Sequence, residues 1–151
     1  MEIPVPDLNH SRSYLDFGNG FYLAPYYDQA YKWCGKFIRR GKEGIISQYV
    51  LDKSYIQNLK VLIFESYSEE WLDFILMCRS NNDSTDYDLV IGGVADDRVF
   101  NTIELYYDGL IDKSSAIHRL RYTKPNMQYC FRTYKALSFL TYKGSETIYE
   151  C

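Results

Sequence analysis

The chain has only two histidines, His10 and His118, and it contains no His-Glu-x-x-His pattern, no Walker A loop and no calcium-binding loop. Metalloprotease, phosphate-loop and EF-hand chemistries therefore have no motif to stand on. No Gly-x-Ser-x-Gly elbow accompanies either histidine, so a Ser-His-Asp arrangement lacks support. Four cysteines (Cys34, Cys78, Cys130 and Cys151) are scattered without Cys-x-x-Cys or paired spacing. That suggests neither a zinc site nor a disulfide framework, and no metal is expected. No window approaches the ~18 apolar residues of a membrane span, and the start, MEIPVPDLNH, does not read as a signal peptide. The expectation is one cytoplasmic domain over residues 1–151, with reduced cysteines and no membrane partner.

Strong net charge is also missing. The balance is −3, which argues against a dedicated duplex-DNA binder. The charge is nevertheless uneven. Twelve acids between Glu65 and Asp112 face only Arg79 and Arg98, whereas Lys113 to Lys143 carries seven bases and no acid. The plainer reading is a solvated helix face, and the sharper one is a basic rim for phosphates.

What is abundant is tyrosine, with 16 in 151 residues. Tyrosine offers a large contact area with a polar tip, which suits a wet aromatic cleft or a partner surface. The chain is organised around Asp16-Phe17-Gly18-Asn19-Gly20-Phe21-Tyr22-Leu23, followed by the tyrosine-rich Tyr26-Tyr27-Asp28-Gln29-Ala30-Tyr31-Lys32-Trp33-Cys34. The first part reads as a glycine loop entering a strand over 17–23. The second reads as a helix from an Asp28 cap to about Arg40, with Ala30, Trp33, Cys34 and Phe37 on one stripe. Two readings stay open. The stretch is a tight turn feeding a core strand, or Tyr22 and Trp33 face one slot beside an acid-flanked loop.

Further elements follow from periodicity and punctuation. Residues 1–15 read as an extended lead-in because Pro4 and Pro6 block helix. Strands are expected over Gly44–Asp52, Leu59–Glu65, Tyr87–Val94, Met127–Arg132 and about Phe139–Tyr142. Ser66-x-x-Glu69 forms a capping-box pattern ahead of a helix over Glu69–Arg79. Asp96, Asp112 and Thr133 cap three more helices, the first running to Tyr107 and the second to about Leu120. The adjacent Asp96 and Asp97 read as a cap and a dipole partner rather than a metal pair. Gly92-Gly93 marks a bulge or a close approach, and residues 144–151 read as a loose tail. Strands mixed with unevenly placed helices favour α+β over a doubly wound sheet.

Four segments, DFGNGFYLAPYYDQAYKW, NLKVLIFE with EEWLDF, DYDLVIGGVADDRVF with ELYYDGL, and QYCFRTYKALSFL, together resemble a bacterial family of domains of unknown function within the ADP-ribosyltransferase superfamily. The resemblance spans about Asp7 to Tyr142. It implies an ADP-ribosyltransferase-like split two-sheet β core with flanking helices, clamping NAD as substrate. It also implies a three-part motif: a strand with His or Arg beside Gly, a Gly-x-Tyr strand followed by a helix aromatic, and a strand bearing Glu. Gly20-Phe21-Tyr22 fits the second part and Trp33 its helix aromatic, with Gly18 in the loop. Tyr22 and Trp33 would sandwich the nicotinamide, since a flat cation stacks well on aromatic faces. Phe21, by alternation, would point into the opposite core.

The other two parts depart from the pattern. Nothing in the lead-in supplies the first strand, and His10 lacks a following Gly, so that strand lies upstream or is lacking. The third strand offers Gln128 in place of Glu. An amide can bond a ribose hydroxyl, but it brings no charge, and losing such a group typically costs on the order of 10²–10³ in rate. Asp16 is the candidate for supplying that charge. The resemblance implies transfer of ADP-ribose to a protein or nucleic-acid acceptor, in a toxin or phage-defence setting with an antitoxin-like protein partner. The alternative is a catalytically inactive NAD- or ADP-ribose-binding or protein-interaction module on the same fold.

Overall fold

The computed structural model describes Leu8 and residues 16–41, 43–80, 83–121 and 123–149. His10, Cys151, the expected lead-in apart from Leu8, and the side chains of Lys36, Phe37 and Asp97 lie outside the described residues.

The strands are β1 (Phe21–Leu23), β2 (Gly44–Leu51), β3 (Val61–Ile63), β4 (Leu89–Gly93), β5 (Met127–Phe131) and β6 (Leu140–Ile148). The helices are α1 (Tyr27–Arg39), α2 (Tyr55–Asn58), α3 (Glu69–Arg79), α4 (Asp97–Tyr107), α5 (Lys113–Leu120) and α6 (Tyr134–Leu137). The fold is mixed α+β with two sheets. One is four-stranded in the order β1-β5-β4-β3, and the other pairs β2 with β6. Among the described strands only β3 and β4 run parallel. No helix among the described residues is long and apolar enough to cross a membrane.

Alternation along the four-stranded sheet divides the core in two. Tyr22, Cys130 and Val90 stand in one cross-strand row, while Phe21, Phe131 and Leu89 form the next. The first row packs under α3, α4 and α5 with Trp71, Leu72, Ile75, Val99, Ile103 and Ala116. The second packs with Tyr49, Leu51, Leu137 and Leu140, which come from the two-stranded sheet and α6. Phe21 does point into this opposite core, with its ring edge-on to Tyr49 at 5.6 Å.

Local side chains set the helix starts. Asp96, Asp112 and Thr133 each accept the backbone N–H three residues on, from Val99, Ser115 and Ala136. At α3 the cap is Ser68, which accepts from Trp71 N–H at 3.1 Å, and not the expected Ser66. Tyr67 is buried against Trp71, so the chain turns into helix only after it. At α1 the helix begins at Tyr27 rather than after Asp28, and the Tyr26 carbonyl accepts the first helical N–H, from Ala30.

Two expectations fail on backbone grounds. The strand expected over 17–23 shrinks to Phe21–Leu23, because Gly18 takes φ +78° and residues 16–20 turn. The loose tail expected over 144–151 instead continues β6 as far as Ile148, which pairs with Gly44 of β2, and residues 150–151 lie outside the described residues. Gly144, at φ +140°, lies at a β-bulge in this ladder and does not end it.

The uneven charge is partly matched internally. Lys113 pairs with Glu69 and Asp73, and Arg132 pairs with Asp83 in a nearly buried contact.

Candidate functional site

The turn before β1 is seated by two close approaches. A Cβ on Gly92 would lie 2.9 Å from the Phe17 ring, and one on Gly20 would lie 2.5 Å from Cys130 Sγ. Lacking them, Phe17 reaches into the core against Phe64 and Phe74. Asp16, only 8% exposed, is thereby held beside the end of β4.

Asp16 meets three donors there. One carboxylate oxygen is ion-paired with Arg79, from the end of α3. The other accepts the Ala95 backbone N–H at 2.9 Å and the Gln128 side-chain amide at 3.2 Å. Gln128 is 5% exposed. The two candidate catalytic residues are therefore brought into direct contact across 112 positions of sequence. Arg79 also stacks over the Phe100 ring at 4.4 Å, and its buried Nε has no partner among the described residues.

This contact fixes the chemistry that Gln128 can offer. An ionised carboxylate has acceptors only, so the amide must turn its NH₂ toward Asp16. The amide oxygen then faces away from Asp16 as an acceptor. The pair presents a neutral oxygen backed by a buried carboxylate, where a glutamate would present the charge itself. The Arg79 guanidinium offsets part of that charge.

Tyr22 lies on the same sheet face as Gln128, on the neighbouring strand. Its hydroxyl turns back into the loop, accepting the Phe17 N–H at 3.0 Å and donating to the Gly18 carbonyl at 2.5 Å. Burial raises the phenol well above its ordinary pKa, with Cys130 and Asp16 adding to the effect. Burial also pushes the Cys130 thiol up to about 12. Both groups remain protonated near neutrality and neither is a ready nucleophile.

Trp33 is half-buried and lines a cleft of about 290 Å³ with Tyr26, Gln29, Val94, Asp96 and Asn126. Gln29 ties α1 to the sheet by donating to the Met127 carbonyl at 2.8 Å. This cleft opens beside the strand ends that carry Ala95 and Gln128. Tyr22 and Gln128 are not among its lining residues, and the Tyr22 hydroxyl is engaged with the loop. The loop's backbone groups need partners, and the Tyr22 hydroxyl supplies them.

Arg79 and the Ala95 N–H were not foreseen as parts of the site. One signal for Arg79 was present, since it is one of two bases among twelve acids. Among the described residues, no group of three or more His, Cys, Asp or Glu side chains could hold a metal ion.

A family model described as protein of unknown function (DUF3990) matches residues 1–142. No curated protein and no solved structure matches the chain.

Proposed function

Since the chain belongs to the DUF3990 family, we propose that it is an ADP-ribosyltransferase-like protein that takes NAD as substrate and passes ADP-ribose to a protein or nucleic-acid acceptor. The observation that carries this reading is the Asp16–Gln128 hydrogen bond on the sheet face shared with Tyr22. It joins the Gly-x-Tyr segment and the third motif strand, the two parts that the family resemblance requires to act together.

In this reading the Gln128 oxygen accepts a ribose hydroxyl, and Asp16 fixes and polarises the amide. Trp33 offers a ring for the nicotinamide, which is the leaving group. Tyr22 shapes the loop through Phe17 and Gly18 instead of forming the second wall. The proposed setting is cytoplasmic, as a toxin or phage-defence component held by an antitoxin-like protein.

One observation favours a second reading. Both Asp16 oxygens and the Gln128 amide nitrogen are already engaged, and Arg79 is ion-paired with Asp16. That arrangement also suits an inactive module that binds NAD, ADP-ribose or a protein.

Calorimetric titration with NAD and ADP-ribose, repeated on Trp33→Ala, tests the cleft. Nicotinamide release tests turnover. Gln128→Glu alone would set two carboxylates side by side, so the informative variant is the swap Asp16→Asn with Gln128→Glu. Faster release by the swap supports the enzyme. Binding without release in either protein supports the module. If neither ligand binds, or Trp33→Ala binds both as tightly, the cleft assignment is wrong.

A further inference from the structure

A second cleft, of about 460 Å³, lies between the start of α1 and the two-stranded sheet. Its size falls within the usual range for a small-molecule site. Leu23 lines it, on the other face of β1 from Tyr22. Tyr26 lines both this cleft and the one beside Trp33, so the two adjoin.

Three features converge on this cleft. The first is the bulge. Gln48 pairs with Gly144 and Tyr49 with Tyr142, which leaves Lys143 opposite no residue. A bulge re-aims the side chain of its extra residue, and Lys143 lines the cleft. It forms no ion pair among the described residues. The second is a set of hydroxyls: Ser145 Oγ lies 2.9 Å from Ser47 Oγ and 2.5 Å from the Tyr142 hydroxyl. The third is the pairing of exposed aromatics with a carboxylate. Tyr26 and Tyr27 are 68% and 52% exposed. The Tyr27 hydroxyl donates to both oxygens of Glu146, at 3.1 and 3.2 Å, which orients that carboxylate.

Each feature selects part of a ligand. Exposed tyrosine faces suit a flat base. An ammonium with no ion pair among the described residues, lining the cleft with serine hydroxyls, suits a phosphate. The Glu146 carboxylate, which only accepts, suits a base edge with two adjacent N–H donors, which would take the place of the Tyr27 hydroxyl. Guanine has such an edge at N1 and N2. Adenine offers one donor beside an acceptor, which Glu146 would repel.

We propose that this cleft binds a guanine nucleotide, with the base against Tyr26 and Tyr27, its N–H edge on Glu146 and its phosphate on Lys143. NAD carries adenine, so this ligand is distinct from the substrate proposed above, and the site stands whether or not that proposal does. The nucleotide is either free or the end of a single-stranded nucleic acid.

The test is calorimetric titration with GMP, AMP and a short single-stranded oligonucleotide that begins with 5′-phosphoguanosine. GMP is expected to bind about tenfold more tightly than AMP, and Lys143→Gln to weaken GMP by about tenfold. Glu146→Gln is expected to remove the preference for GMP. Tighter binding of the oligonucleotide than of GMP identifies nucleic acid as the source, and equal or weaker binding identifies free nucleotide. Both substituted side chains are exposed, and an unchanged thermal midpoint verifies that each variant is folded. No GMP binding up to millimolar concentration, equal GMP and AMP affinity, or an unaffected Lys143→Gln variant overturns the proposal. The two proposals fail separately, because NAD binding is read at Trp33 and GMP binding at Lys143.

Discussion

Asp16→Asn is the substitution whose effect can be worked out most fully. The change is nearly isosteric, so no cavity arises. Every neighbour of the carboxylate is a donor: Arg79 at one oxygen, and the Ala95 N–H with the Gln128 amide at the other. An asparagine must place its own NH₂ against one of these groups. If it faces Gln128, that amide can flip to accept, but the Ala95 N–H is then left without an acceptor. If it faces Arg79, two donors meet and the guanidinium loses its counterion. A buried group left unsatisfied costs about 1–3 kcal/mol, and breaking a fully buried pair costs about 3–5 kcal/mol. The Arg79 side chain is 27% exposed, so water recovers part of that loss. The expected destabilisation is about 2–4 kcal/mol. Urea unfolding at pH 7 measures it, and the double variant with Arg79→Met closes a cycle. The two changes should be less than additive by about 1–2 kcal/mol. A loss below about 0.5 kcal/mol, or simple additivity, would refute the argument that Asp16 is held by these donors.

Two further predictions concern the same region. Gly20→Ala should cost about 1–3 kcal/mol, because its Cβ would meet Cys130 Sγ at 2.5 Å and the Phe131 carbonyl at 3.0 Å; the cost should fall in a Cys130→Ala background, and unchanged stability in the wild-type background would contradict the packing. Alkaline pH should destabilise the fold. Burial pushes Cys78 and Cys130 up to about 12 from 9.0, and Tyr49 up to about 12 from 10.0. Above about pH 9 the unfolded chain releases these protons first, so stability is full below that pH and declines toward about pH 12. A urea midpoint that stays level from about pH 8 to about pH 11 would show that these groups are not protected.

Local signals in the sequence were readable, and distant ones were not. Asp96, Asp112 and Thr133 cap their helices as expected because a cap spans only three residues. The bounds of α3 match for the same reason, although two serines competed for its start and the burial of Tyr67 decided between them. The single turn of α2 has no side-chain cap and no buried residue, so it left no pattern. Gly144 looked like a stop, since glycine at a bulge and glycine at a chain break read alike. Asp16 and Gln128 each stood out by residue type and family resemblance. Their contact, and the Arg79 pairing 63 residues from Asp16, belong to tertiary structure alone. The Tyr22 hydroxyl bonds the loop's own Phe17 N–H and Gly18 C=O, a local demand that the Gly-x-Tyr pattern alone does not display.

The strand order has a consequence for how the protein is made. β5 is fifth in sequence yet lies between β1 and β4. On the ribosome, β1, β3 and β4 all emerge before the strand that joins β1 to the other two. Until about Phe131 has left the exit tunnel, β1 and β4 each keep an unpaired edge, and Asp16 lacks its Gln128 partner. Closing the sheet then fixes the long connection from β1 to β5 in one step, a topology that favours slow, late folding. The nascent chain therefore cannot build the Asp16–Gln128 pair until β5 itself has emerged.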